Sequence, residues 1–326
     1  MKNWRWIGLA ALLLLPWLGL GNYVLHIAIL VLLWAYVYTA WAMMGRFGLV
    51  SLGHGAFTAI GAYGTTLLWN AAGMSPWIGI PLSVALAMVA AVVIGWPCFR
   101  FRIVGHYFAL VTLALSEVVR LIIIALRDYT GGSLGMTPNS ALTQGPVSLY
   151  ALQFADKTVW YYIVLAVWVM GLVVWQRVDR SMARMALEAI SDQEDAAASV
   201  GVDVTRTKLQ IAVLSAALAA FGGALFGQYQ LYVNPDIVGG IGLSLQIVFA
   251  SIAGGMFVQL GPTVGAIFTL LLTEILRVAI GHDVHGLDTT IYGLMLVVFI
   301  IFMPKGIVGT AQEMWQRRGQ PARKPA

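Results

Sequence analysis

The chain has 326 residues, of which 60% are hydrophobic and only 10% are charged. A soluble domain carries about 25% charged residues, so this chain lacks the polar surface that a water-soluble fold needs. The net charge of +5 does not indicate nucleic-acid binding, because excess Lys and Arg in a membrane protein mark its cytoplasmic loops. We therefore expect an all-α, polytopic membrane protein surrounded by lipid.

The first apolar segment follows Lys2 and Arg5 and has the general form of a signal peptide. No small-residue cleavage site follows it, so we expect an uncleaved first span. A spanning helix needs about 20 mostly apolar residues. Ten such segments are predicted, at about 6–21, 24–44, 48–70, 77–96, 105–126, 159–176, 209–229, 241–258, 261–280 and 289–303.

Positive charges predict the orientation of these spans. With the N-terminus inside, fifteen of the nineteen Lys and Arg residues fall on the inner side, and the reversed arrangement leaves only four there. Because cytoplasmic loops are enriched in Lys and Arg, the sequence predicts that both termini are inside. We expect one transmembrane domain over 1–310 and a basic cytoplasmic tail over 311–326.

Two long polar segments interrupt the spans. The outer loop, residues 127–158, is rich in turn-forming residues. The inner loop, residues 177–208, contains a helix-favouring run over 183–200, with Gly201 as its stop and Asp203 as a cap for the next helix. Composition leaves two interpretations open: an ordinary solvated loop, or an amphipathic helix that docks on a partner.

The inner-loop sequence EAISDQEDAAASVGVDVTRTK resembles the cytoplasmic loop of ABC importer permeases, where a Glu-Ala pair precedes a Gly by about a dozen residues. It is most similar to branched-chain amino-acid ABC transporter permeases of the LivH/LivM family, LivM type. The family's usual Arg and Asn are Ser191 and Gln193 here. The resemblance implies contact with an ATPase subunit through Glu188, Ala189, Asp192, Glu194 and Gly201. Arg184, which forms an opposite-charge i,i+4 pair with Glu188, is predicted to belong to the same contact.

Further segments resemble the same family in the same order, so the resemblance covers nearly the whole chain. They are GLVSLGHGAFTAIGAYGTTLL (48–68), FRIVGHYFALVTLALSEVVRLI (101–122), TGGSLGM (130–136), the region 234–268 and MPKGIVG (303–309). The resemblance implies a permease subunit of an ATP-driven importer in the bacterial inner membrane. Its implied partners are a second, LivH-like permease, two ABC ATPase subunits and a periplasmic substrate-binding protein.

The sequence contains no GxxxxGK[ST] phosphate loop, so ATP and Mg²⁺ are expected on the partner ATPase chains. We expect no catalytic residue, cofactor or metal site in this chain. The resemblance implies a branched-chain or related small amino acid as substrate; similar scaffolds that carry urea, amides or aromatic acids are the alternative. A stand-alone secondary transporter is the second class, and it would need an ion-coupling charge such as Glu117 near the membrane midplane.

Two spans, around 48–70 and 239–255, are rich in glycine and dotted with polar residues. Irregular backbone at membrane depth is tolerated only where it is buried in protein or lines a cavity. Paired interrupted segments in the two halves of a chain are typical of inverted-repeat transporters. Close packing and a pathway wall both explain the pattern. The predicted pathway residues are Ser51, His54, Thr58, Tyr63, Ser244, Gln246 and Ser251.

Other patterns predict helix packing and membrane-depth charges. The i,i+4 stripes of small residues at 216–224 and 219–227 predict close helix association. Glu117 with Arg120, and Glu274 with Arg277, form opposite-charge pairs at i,i+3 in the outer halves of spans. Their simplest role is structural, with the Arg side chains reaching outward. The alternative is a role in the outer gate or in docking of the binding protein.

Overall fold

The computed structural model describes residues 10–19, 21–141, 147–280, 293–294, 298 and 306–318. Within these ranges the protein is built almost entirely from helices, as predicted. The strands that are described form one antiparallel pair in the outer loop, β1 (Val147–Ser148) with β2 (Gln153–Phe154).

The first part of the chain contains four long helices. They are α1 (Asn22–Gly45), α2 (His54–Ala72), α3 (Pro76–Arg100) and α4 (His106–Ala125). A 3₁₀ turn, Leu15–Leu18, precedes them, and two short turns of helix, Arg127–Thr130 and Gly132–Leu134, follow them. Ser75 caps α3 by accepting a hydrogen bond from the Trp77 amide, and Pro76 occupies the first helical position, where its missing N–H costs nothing.

The second part begins with α5 (Lys157–Asp179), whose cap Asp156 accepts the Thr158 amide at 2.8 Å. The inner loop then forms two helices, α6 (Met182–Asp192) and α7 (Glu194–Ser199). The remaining helices are α8 (Val204–Gln230), the single turn Pro235–Val238, α9 (Gly240–Gly254), α10 (Gly261–Ile280) and α11 (Gly306–Arg318).

Six of the described helices are long and apolar enough to cross a membrane, so the chain is a multi-pass membrane protein. The predicted span 48–70 is wrong at its start, because the chain is irregular around Gly48, whose φ is +78°, and becomes helical only at His54. The span predicted at 289–303 lies largely outside the described residues, and that at 6–21 lies partly outside them. The six candidates are Asn22–Gly45, Pro76–Arg100, His106–Ala125, Lys157–Asp179, Val204–Gln230 and Pro235–Gly254.

Helices α1 and α8 form the centre of the bundle. About 78% of the apolar window of α1 is buried inside the protein, against 22% for α4. α1 packs against α5, α8, α9 and α10, and α8 also packs against α2 and α3. α1 is apolar around its whole circumference, which is typical of a buried helix. α4 is by contrast peripheral, and its exposed side carries the apolar residues Leu110, Val118 and Leu121.

The two polar loops lie at opposite ends of the bundle. At one end the inner loop meets the ends of α1 and α3 and the start of α8 through three ion pairs, Arg46–Asp179, Arg102–Asp195 and Lys208–Glu194. At the other end the outer loop covers the end of α2, where the Trp69 and Asn70 side chains donate to carbonyl oxygens of Asn139 and Thr137. Helices that follow one another along the chain from α1 to α5 therefore alternate in direction.

Candidate functional site: the inner loop and a buried polar seam

The inner loop is not the single helix predicted over 183–200. Gln193 adopts an extended conformation, with φ −155° and ψ +107°, and separates α6 from α7. This break lets Leu187 and Ile190 of α6, and also Ala197 of α7, bury themselves against the bundle. The loop is therefore a folded, two-helix cover at this end of the protein.

Helix α6 has a second apolar side that points away from the bundle. Met182 is 78% exposed and Met185 is 59% exposed, although both are large apolar side chains. Ala189, one helical turn further on, is exposed too. The i,i+3 and i,i+4 spacing places these three residues on one stripe, which we call the outward face. Such an exposed apolar stripe marks an interaction surface.

The charged residues predicted for ATPase contact lie beside this stripe. Arg184 pairs with Glu188 at 2.7 Å across one helical turn, and both side chains are about half exposed. The hydrogen bond that Arg184 donates to the Glu188 carboxylate is the main reason that the pKa of Arg184 is raised. Asp192 is exposed at the end of α6. Arg184, Glu188 and Asp192 therefore lie next to the outward face and are accessible to solvent.

Glu194 differs from the other predicted contact residues, because its carboxylate turns toward the bundle. It pairs with Lys208 of α8, whose side chain is only 5% exposed. The pair fastens α7 to the first turns of α8. Its neighbour Asp195 instead faces solvent and pairs with Arg102 at 2.7 Å.

Gly201 ends α7 in the way the sequence predicts. Its φ of +93° is the left-handed conformation that favours glycine, and the Val202 amide returns to the Ala197 carbonyl at 3.2 Å. Asp203 then caps α8 by accepting the Arg206 amide at 2.9 Å. The neighbouring Val200 is 80% exposed, which adds an apolar side chain to the solvent side of the loop.

The two glycine-rich segments meet in the interior, where they form a polar seam of Gly55, Thr58, Ser116 and Ser244. The Gly55 amide donates to Ser244 Oγ at 3.1 Å, and Ser116 Oγ lies 2.9 Å from Ser244 Oγ. Thr58 Oγ1 donates to the Val238 carbonyl at 2.7 Å. Every one of these side chains is at least 95% buried. The seam holds α2, α4 and α9 together.

The other predicted pathway residues are also paired inside the bundle. His54 Nε2 lies 2.7 Å from Ser215 Oγ, which donates to the Ala40 carbonyl. Tyr63 reaches the Val233 carbonyl, while Gln246 and Ser251 contact the hydroxyl and the carbonyl of Tyr38. These contacts pair most of the buried polar groups, as close packing requires. Nδ1 of His54 is the exception, since it is buried and has no hydrogen-bond partner among the described residues.

Ser51 borders a small internal cavity of about 20 Å³, together with Thr112 and Phe57. That volume suits a single water molecule, and it is far too small for an amino acid. Among the described residues, no group of three His, Cys, Asp or Glu side chains is arranged to hold a metal ion.

A family model described as "Branched-chain amino acid transport system / permease component" matches residues 23–303. The chain belongs to this permease family. It is 29% identical over 289 residues to the LivM permease proteins of the high-affinity branched-chain amino acid transport systems of Salmonella typhimurium and Escherichia coli. This alignment covers 82% of this chain and 65% of each LivM protein, so the permease spans about two thirds of their length.

The Escherichia coli LivH permease protein is also similar, at 25% identity over 277 residues, which cover 81% of this chain and 87% of LivH. No solved structure matches the permease. The family membership agrees with the resemblance in the sequence, and the family members named here are transport permease proteins rather than enzymes.

Sequence reasoning missed three residues that complete the interior contacts of the permease. They are Ser116, Ser215 and Tyr38, which bind Ser244, His54 and Gln246 respectively. The available signal was a small polar residue inside an otherwise apolar helix, at Ser116 in α4 and Ser215 in α8. Their importance depends on which helices are neighbours, and spacing along one helix does not reveal that.

The charges predicted at membrane depth also have partners that sequence reasoning missed. Arg120 pairs with Glu117 at 2.9 Å, as predicted, and also with Asp236 of the single-turn helix at 2.6 Å. Arg120 therefore joins α4 to the segment that leads into α9. Glu274 accepts a hydrogen bond from Tyr23. The side chain of Arg277 lies outside the described residues, so the pairing of Glu274 with Arg277 stays a prediction.

Proposed function

We propose that this permease is the membrane subunit of an ATP-driven importer for branched-chain or related small amino acids. The observation that carries the proposal is the outward face of α6, where Met182, Met185 and Ala189 form an exposed apolar stripe at a loop end of the bundle. An apolar stripe that is exposed to water is stabilised when a partner protein covers it. An ATPase subunit that binds ATP and Mg²⁺ fits, since this chain has no phosphate loop of its own.

The proposed complex has a second, LivH-like permease, two ATPase subunits and a periplasmic substrate-binding protein, in a bacterial inner membrane. The similarity of the chain to both LivM and LivH proteins supports a pairing of two related permeases. In this arrangement the inner loop, with Arg184, Glu188, Ala189, Asp192 and Gly201, faces the cytoplasm, and Glu194 supports it from behind. The binding protein delivers substrate at the outer-loop end.

Transport would proceed by alternating access between two related halves of the permease. In each half a long helix, a connecting segment and two further helices follow one another: α1, residues 46–53, α2 and α3, then α8, residues 231–239, α9 and α10. A glycine with positive φ lies in the first connection, at Gly48, and directly after the second, at Gly240. The packing is mirrored, because α8 contacts α2 and α3 while α1 contacts α9 and α10. This pattern supports an inverted repeat, with the polar seam at its centre.

On this proposal the predicted pathway residues become accessible when the seam opens. Ser51, His54 and Thr58 on one side, and Ser244 and Ser251 on the other, then exchange their internal hydrogen bonds for water or substrate. Hydroxyl groups beside aliphatic side chains suit a small zwitterion with an apolar side chain. Tyr63 and Gln246 lie at the edges of the same region.

The outward face can be tested by charge insertion. Burying a Met side chain against a partner contributes about 1.5–3 kcal/mol. We expect Met182→Glu and Met185→Glu each to lower the ATPase that copurifies with the complex by about tenfold, since tenfold corresponds to about 1.4 kcal/mol. Leu149→Glu, at an equally exposed apolar position of the outer loop, is the matched control and should retain the ATPase.

Two results would contradict the proposal. The first is a wild-type permease that copurifies with no ATPase when all partner chains are coexpressed. The second is ATPase retention by both methionine variants at the level of Leu149→Glu. Amino-acid uptake into cells that continues after removal of the ATPase genes would instead favour a secondary transporter.

A further inference from the structure

The charge that the proposed function leaves unexplained is Arg46, the first residue after α1. Its side chain is only 8% exposed and forms an ion pair with Asp179, the last residue of α5, at 2.6 Å. The guanidinium carbon lies 4.0 Å from the ring centre of Trp175 and 4.7 Å from that of Phe47. The cation is therefore enclosed by two aromatic rings and one carboxylate.

Asp179 cannot leave Arg46 without a large cost. Among the described residues, Nε and Nη2 of Arg46 are buried and have no hydrogen-bond partner, so Asp179 is the main compensation for the buried charge. Burial is also the largest influence on the pKa of Arg46, which it lowers, and Asp179 opposes it. Removing one member of a buried ion pair leaves the other uncompensated. The ion pair between Arg46 and Asp179 therefore joins the ends of α1 and α5.

The Arg46–Asp179 ion pair lies between α6 and the predicted pathway residues. Only Arg180 and Ser181 separate Asp179 from the start of α6. On the other side, Arg46 begins the irregular linker that leads to Ser51 and His54.

Two further contacts follow the same linker. Ser191 Oγ of α6 lies 3.5 Å from where a side-chain carbon at Gly48 would be. The Trp41 indole donates to the Ser51 carbonyl at 2.7 Å and so fixes the linker to α1.

We propose that Arg46 is a positioning residue that transmits movement of the inner loop to the linker between α1 and α2. The inference rests on the proposed function, because it needs an ATPase that moves α6. When α6 shifts, Asp179 draws Arg46 with it, and the linker then carries the displacement to Ser51, His54 and the polar seam. A purely structural ion pair would support folding but would not connect these two movements.

The test uses the complete complex in proteoliposomes, with two readouts: ATPase retained by the permease, and substrate transported per ATP hydrolysed. In Arg46→Gln and Asp179→Asn we expect the ATPase to remain bound, since the outward face of α6 is intact. Substrate transported per ATP should fall about tenfold in each variant. In the double variant, substrate transported per ATP should be no lower than in either single variant, because each single change already removes the Arg46–Asp179 ion pair.

Arg102→Gln is the matched control. Arg102 pairs with Asp195 at 2.7 Å at the same end of the bundle, but both side chains are largely exposed, at 65% and 78%. We expect its transport per ATP to equal that of the wild type. Arg46→Lys keeps the charge without the planar group, so it should lower transport per ATP by less than Arg46→Gln does. This variant replaces Arg46→Gln in the test if Arg46→Gln accumulates poorly.

The proposal is overturned if Asp179→Asn and Arg46→Lys lower the amount of complex while transport per ATP stays unchanged. The proposal is also overturned if Arg102→Gln lowers transport per ATP as much as Arg46→Gln and Asp179→Asn do. Absence of ATPase from the wild-type complex would instead contradict the proposed function, so the two failures are distinguishable.

Discussion

Several described glycines of the permease lie very close to a neighbouring backbone. A side-chain carbon added at Gly223 of α8 would lie 2.1 Å from the Thr58 carbonyl oxygen, and one added at Gly61 of α2 would lie 1.9 Å from that of Ala220. Helices α2 and α8 therefore cross with their backbones almost in contact. Close contact of this kind provides the van der Waals packing that holds membrane helices together.

Gly223→Ala should therefore destabilise the permease by about 3 kcal/mol or more, because the added methyl group must push α2 away from α8. Gly242→Ala is the control, since no atom lies within 4 Å of a side-chain carbon placed there on α9. Alanine in a helix is favoured over glycine by about 1 kcal/mol, so this variant should be at least as stable as the wild type. Thermal unfolding of the purified protein in detergent compares the two. Equal midpoints for both variants would contradict the close-crossing argument.

For individual residues, the sequence predicted the small-residue faces correctly, because i,i+4 spacing is a property of one helix. Gly223 and Gly227 belong to such a stripe, and both lie against α2 or the segment beside it. The pairing of Ser244 with Ser116, and of His54 with Ser215, was not predictable in this way. Those contacts join residues more than 120 positions apart, and only the arrangement of the helices brings them together.

At the scale of elements, α7 depends on a single buried charge. Lys208 is almost fully enclosed and pairs with Glu194, so the two changes that break this pair have unequal costs. Glu194→Gln leaves a buried cation without compensation and should destabilise the protein by about 3 kcal/mol. Lys208→Met removes that cation and fills its space, so it should cost about 1 kcal/mol or less.

Unfolding midpoints of Glu194→Gln, Lys208→Met and the double variant in detergent test this asymmetry. The double variant should resemble Lys208→Met, because a neutral side chain at position 208 no longer needs the carboxylate. If Glu194→Gln instead unfolds like the wild type but loses its ATPase, Glu194 contacts the partner directly, as the family resemblance implies.

The single-turn helix Pro235–Val238 gives a second prediction for one element. Its Asp236 holds Arg120, and its Val238 carbonyl accepts the Thr58 hydroxyl of the seam. An exposed ion pair contributes up to about 1 kcal/mol, so Asp236→Asn should raise the open fraction of this segment by up to about fivefold. When Thr58 is replaced by cysteine as a reporter, the additional change Asp236→Asn should increase the rate at which that cysteine reacts with a maleimide by the same factor. Asp195→Asn, which removes an ion pair at the opposite end, should leave the rate unchanged.

Element boundaries show why sequence reasoning was incomplete here. The pattern over 183–200 favours helix throughout, yet the chain breaks at Gln193 because Leu187, Ile190 and Ala197 all turn toward the bundle. The single-turn helix Pro235–Val238 was not predicted, although Asn234 caps it by accepting the Asp236 amide at 2.9 Å. Tertiary contacts decide both cases, and local propensity does not include them.

At the scale of the whole molecule, charge counting predicted which loops share an end. Arg46, Arg102 and Lys208 follow or begin different helices, and each pairs with an acidic residue of the inner loop. The outer loop covers the opposite end. The number of spans was less predictable, because apolar length does not show where a helix starts or is divided. The predicted span 48–70 becomes helical only at His54, and the candidate span Pro235–Gly254 is divided at Gly239.

The absolute orientation can be tested with cysteine labelling, for which the permease offers a favourable background. Cys98 is the only cysteine, and it is 3% exposed, so the wild type should react little with a membrane-impermeant maleimide. Leu149 in the outer loop and Val200 in the inner loop are 67% and 80% exposed, so cysteines placed there are comparable reporters. With both termini inside, Leu149→Cys should label in cells whose outer membrane is permeabilised, and Val200→Cys only after the inner membrane is opened. The reverse pattern would invert the orientation, place the outward face of α6 in the periplasm, and remove the basis for an ATPase partner there.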